Sequence, residues 1–74
     1  MAAVLHLLKS GDAALARTVI DQHVRAGDHV TVVVLPGNPT PDLPAAVVLR
    51  RLDADLSYAH LLDLIFAADR VVTW

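Results

Sequence analysis

A nearly continuous apolar run, Val4-Leu5-His6-Leu7-Leu8 with one histidine inside it, ends in the polar corner Lys9-Ser10-Gly11-Asp12. An amphipathic pattern begins straight after it. A buried strand that turns directly into a helix reads this way, because the near-continuous apolar stretch suits a parallel strand covered on both faces. Val4, His6 and Leu8 then point to one face of the sheet, and Leu5 and Leu7 to the other. The residues up to Leu35 complete a strand-helix-strand unit on which everything later must pack.

The first helix is expected over residues 12–26. Ser10 is its N-cap, since a hydroxyl oxygen accepts an amide hydrogen that the first turn leaves free. Asp12 places a negative charge where the helix dipole favours one. Leu15, Ala16, Val19, Ile20, His23 and Val24 recur at three-to-four spacing and form the buried face, while Arg17, Asp21, Gln22 and Arg25 face water. Gly27 supplies the left-handed stop. His29 to Leu35, rich in β-branched valine, is the second strand. Because a helix lies between them, the first two strands are parallel with a right-handed crossover.

Four prolines and a glycine fall within Pro36–Pro44, which excludes a regular helix there. Ala45 to Leu52 reads as a third strand around Val47, Val48 and Leu49, with Arg50 and Arg51 marking its exit. A loop through Asp53 and Asp55 leads to Ser57, the N-cap of a second helix over residues 58–68. Its apolar stripe is Tyr58, Leu61, Leu62, Ile65 and Phe66. Arg70 to Trp74 is a last short strand.

The reading is one α/β domain over residues 1–74: a small, open, mostly parallel four-stranded sheet, β-α-β-β-α-β, with helices on both faces. A strand order of 2-1-3-4 is expected. The connection between strands 2 and 3 usually carries a helix. With proline in its place, half of each sheet face is expected to stay apolar and bare until a partner subunit covers it.

Size and composition favour association. A chain of 74 residues buries about 60% of the surface its unfolded form exposes, so its core is marginal. With no cysteine, neither a disulfide nor a thiolate zinc site can reinforce it. Hydrophobic residues make up 55% of the chain and charged ones only 19%, so an uncovered apolar surface is expected to meet another subunit. The net charge of −2 argues against direct nucleic-acid or anionic-membrane binding. No apolar run approaches the roughly 20 residues that span a bilayer, and Met1–Leu8 lacks the charged start of a secretory signal, so cytoplasm is the expected compartment.

Leu5-His6-Leu7-Leu8-Lys9-Ser10 resembles the Leu-His-x-x-x-Ser opening of the DsrH/TusB-like branch of the DsrE family. The Ala26-Gly27-Asp28 turn, the Tyr58–Leu64 helix and the closing Val72-Thr73-Trp74 are similar to that branch too. The resemblance implies a DsrE-like fold and a place in intracellular sulfur relay, in which persulfide sulfur passes between cysteines for sulfur oxidation or transfer-RNA thiolation. It also implies hetero-oligomers of related small subunits. Two departures stand out: this chain has no cysteine to carry a persulfide, and the proline stretch replaces a helix.

Candidate interface or pocket residues are His6, Lys9, Ser10 and Trp74. His6 is either a proton donor or subunit contact, or a core histidine held by a hydrogen bond. Lys9, Ser10 and Gly11 sit where open α/β sheets bind ligands and where helix amides hold anions, or they are a plain cap and turn, since no Gly-x-Gly-x-x-Gly or Gly-Lys-Ser/Thr sequence is present. Trp74 suits an interface anchor. Asp53 and Asp55 read as loop solvation ahead of cation binding. His23 and His60 read as structural or interfacial residues without a spaced partner. No catalytic set, metal site or cofactor site is expected, and the chain reads as a non-enzyme. The alternatives are a small-ligand or anion-binding α/β domain, and a homo-oligomer with no relay role.

Overall fold

The computed structural model describes residues 2–9, 13–38, 43–54 and 56–74. Its elements are β1 (Ala3–Leu8), α1 (Ala13–Arg25), β2 (His29–Val34), β3 (Val48–Arg51), α2 (Tyr58–Ala67) and β4 (Arg70–Thr73). All the strand pairings are parallel, so the sheet is an α/β layer with a helix on each face. The Ser10 cap, the Asp12 first-turn charge and Asp55 lie outside the described residues.

The strand order is β3-β2-β1-β4, not the expected 2-1-3-4. Hydropathy explains the difference. Val4 and Leu5 of β1 and Val30, Val32, Val33 and Val34 of β2 are buried, and these two strands take the centre, where both faces and both edges are covered. Arg50, Arg51 and Arg70 sit on the outer strands β3 and β4, where a charge reaches water and discourages strand addition from outside.

This order places the helices over the same central strands from opposite sides. Ile20 of α1 packs with Val30 and Val32, and Leu61 of α2 packs with Leu5 and Val33. The chain steps from β1 to β2 to β3 in one direction and then crosses back to β4, so α2 traverses the sheet on the face that α1 leaves open. Residues 43–47, at the end of the connection into β3, cover part of their own region. Leu43 and Val47 pack on the α1 side with Leu49 and supply part of the cover that a helix would give. The expectation of a bare half is therefore corrected on the α1 face, whereas on the α2 face the β3 margin stays open.

Turn chemistry agrees with the sequence. Leu35-Pro36-Gly37-Asn38 closes with the Asn38 amide donating to the Leu35 carbonyl at 3.3 Å, with Pro36 and Gly37 (φ 85°) in the places that a type II turn prefers. The third strand is shorter than expected, because Val47 donates to the Pro44 carbonyl and spends residues 45–46 on a turn. Ser57 caps α2 by accepting from the His60 amide at 3.2 Å.

Gly27 ends α1 at φ 84° in a paired cap: its amide donates to Val24, and the Asp28 amide donates to His23. An added Cβ would meet nothing within 4 Å, so alanine there suffers only the left-handed backbone penalty. Gly27→Ala is expected to cost about 1–2 kcal/mol, read from urea unfolding. An unchanged midpoint would remove the cap from the account.

Rotation of the helices differs from the periodicity reading in two places. Leu15 is exposed rather than buried. In α2, Leu61 is buried and Leu64, Ile65 and Ala68 pack inward, while Tyr58, Leu62 and Phe66 are 64%, 40% and 85% exposed. The stripe of α2 therefore splits into a core face and an outer flank at i, i+4 and i+8.

Candidate functional site

β1 is fixed at its amino end by two aspartates. The Ala2 amide donates to Asp28 Oδ1 at 3.1 Å, and the Ala3 amide donates to Asp69 Oδ2 at 2.7 Å. Each aspartate directly precedes the strand that flanks β1, so both neighbours grip the same end. This holds the register that pairs His6 with Val32 on one side and Val72 on the other.

His6 is wholly buried on the α1 side of the sheet. Its Nε2 lies 3.1 Å from His23 Nδ1, a ring brought down from the last turns of α1. Its Nδ1 accepts from the Trp74 indole Nε1–H at 3.0 Å. Trp74 is placed by continued β pairing: its amide donates to the Leu7 carbonyl at 2.8 Å, and its carbonyl accepts from the Lys9 amide at 3.3 Å. The His6 and Trp74 ring planes are nearly parallel, 10° apart, with centroids at 6.2 Å.

This geometry sets the protons. An indole N–H only donates, so Nδ1 of His6 carries a lone pair and its hydrogen is on Nε2. That hydrogen is donated to Nδ1 of His23, which leaves the remaining His23 hydrogen on Nε2. Both rings are neutral in this arrangement. Burial, and secondarily the charge that His23 can carry, lowers the pKa of His6 from 6.5 to about 4.

Of the residues marked from sequence, the fold brings His6 and Trp74 together, with the Lys9 backbone beside them. Lys9 itself is exposed, and Ser10 lies outside the described residues. His23, read as lacking a partner, has one in His6. The signal was present: His6 points to the α1 side of β1, and His23 points inward from α1, so the two meet across that layer.

A cleft of about 340 Å³ lies on the α2 side, beside β3, with Thr31, Val48, Arg50, His60 and Asp63 among its lining. It exists because α2 runs over the central strands and leaves the β3 margin open. Finding it required the strand order. Among the described residues, no three histidine, aspartate or glutamate side chains are grouped as a metal would need. No helix there is long and apolar enough to cross a membrane. No family model, curated protein or solved structure matches the chain.

Proposed function

We propose that the chain is a non-catalytic, DsrH/TusB-like subunit of a cytoplasmic sulfur-relay assembly, acting by association with cysteine-bearing, DsrE-like sister subunits. The observation that carries this reading is the 3.0 Å bond from Trp74 to His6. The resemblance rests most visibly on the opening Leu5-His6 and the closing Val72-Thr73-Trp74, and these two ends converge on one part-buried contact. A motif pair with a shared structural task is a better basis for kinship than two short strings taken separately. With no cysteine the chain has no thiolate to hold a persulfide, so its part in a relay is to position a subunit that has one.

The outer flank of α2 supplies the contact surface. Tyr58, Leu62 and Phe66 lie on one side of the helix, and Val71 on the α2 face of β4 is exposed as well. Two aromatic residues around an aliphatic one are the kind of anchor that dominates protein interfaces. The same flank favours a second reading, a homo-oligomer with no relay role, in which another copy takes the sister subunit's place.

Native mass spectrometry of the chain, alone and co-expressed with a cysteine-bearing DsrE-like protein from the same genome, tests both. A hetero-complex that Phe66→Glu weakens by roughly 30-fold or more supports the first reading. A homo-oligomer lost in the same variant, with no hetero-complex, supports the second. A monomer in both samples at micromolar concentration would overturn both.

A further inference from the structure

We propose that His6, His23 and Trp74 form an acid-released latch, which ties α1 and the carboxyl end of β4 to the centre of the sheet only while both imidazoles are neutral. The inference stands apart from the relay reading, since it concerns how the chain holds itself together.

The hydrogen-bond chain runs in one direction and has room for a single proton arrangement. Trp74 donates to His6, and His6 donates to His23. Suppose that His23 takes a proton from solvent on Nδ1. His6 Nε2 must then give up its hydrogen and accept, while Nδ1 still faces the indole N–H. Such a ring would need two lone pairs, the form of an imidazolate, which water at ordinary pH does not supply. Suppose instead that His6 takes the proton on Nδ1. Two N–H groups then face each other across the 3.0 Å gap to Trp74. Either proton breaks at least one link. The device is bistable in the sense that a pH switch needs: a small charge change sets packing that is either whole or open.

Among the described side chains, none of opposite sign faces the pair to neutralise the added charge. Among the described residues, α1 brings only His23 against His6 as a titratable group. β2 contributes Val30, Val32 and Val34 on that face. On β4, Arg70 shares the face by strand alternation, but it is exposed and of the same sign. Leu5 and Leu7, with α2 beyond them, lie on the far side of the sheet. His23 is only half-buried, so it lies nearer to solvent than His6.

Trp74 is the single tryptophan of the chain, so its emission reports the latch directly. The test is a titration of the full chain from pH 7.5 to 4, following tryptophan emission and far-ultraviolet circular dichroism together. The same titration is repeated on His23→Asn, whose side-chain oxygen keeps an acceptor near the Nδ1 position and cannot take the proton. The expected wild-type result is a red shift of emission that precedes loss of helix signal. In His23→Asn that step moves to lower pH by about one unit or more, because only the buried ring remains to be protonated. Nitrogen-15 spectra of the wild-type rings at pH 7.5 give a reading independent of whether the variant folds: His6 protonated on Nε2 is expected. Three results would overturn the latch: His6 protonated on Nδ1 at pH 7.5, an emission step that coincides with global unfolding, or one that stays in place in His23→Asn.

Discussion

Between pH 7 and pH 4 the folded chain is expected to lose on the order of 3 kcal/mol of stability through His6 alone. The folded state holds this ring at about 4 against an ordinary 6.5, first by burial and second by the charge on His23. A histidine with a lowered folded value stabilises fully above 6.5. As the pH falls below 6.5 the unfolded chain takes up a proton that the folded chain refuses, so stability drops until about pH 4 and then levels. Urea midpoints at pH 7, 5.5 and 4 measure the slope. His6→Asn serves as the control, because carboxylates also titrate near the lower limit and the variant retains them. If wild type and variant lose stability in parallel across this range, the imidazole is not the cause.

The second large effect is expected at Ile20→Ala. Ile20 has no exposed surface and packs against Val30 and Val32, with Val24 and Leu49 around them. Removing its outer methyl and methylene groups leaves a cavity that two strands of a parallel sheet cannot close, at about 2–5 kcal/mol. Domains are stable by roughly 0.05–0.15 kcal/mol per residue, so a chain of this size has about 4–11 kcal/mol to lose. Each kcal/mol lowers the melting temperature of a small domain by about 4–8 °C, so a drop of at least about 8 °C is expected by circular dichroism. Phe66→Ala, on the outer flank of α2, should stay within about 0.5 kcal/mol of wild type in the monomer. If the two substitutions cost the same, then Phe66 is covered in solution and the flank is already occupied.

Much of the fold was legible because local signals agreed. The β-branched run fixed β2, Gly27 closed α1 and Ser57 opened α2. Alternation along β1 correctly placed His6 and Leu5 on opposite faces. Strand order was harder, since both orders satisfy a right-handed crossover. The deciding clue was where charge sits: Arg50, Arg51 and Arg70 mark margins, whereas β1 and β2 carry no arginine or lysine. Rotation of α2 escaped for a different reason. Apolar residues cover more than half of its circumference, so a 3.6-residue period cannot say which arc meets the sheet. Only packing decides, and it selected Leu61, Leu64, Ile65 and Ala68.

The histidine pair was hidden by separation. His6 and His23 belong to different elements, and Trp74 lies at the far end of the chain, so no spacing rule joins them. Their shared side of the sheet follows from combining two periodicities, one of two residues and one of 3.6. Read together, these place a half-buried imidazole over a buried one. What alternation does not give is the hydrogen-bond direction, which depends on the indole as a pure donor.

The arginines on β3 and β4 have one more effect. A parallel sheet with bare margins is a template for endless stacking, since each margin can recruit a fresh chain and present the next. Here an incoming copy would lay cation against cation, so fibre growth along that axis is penalised.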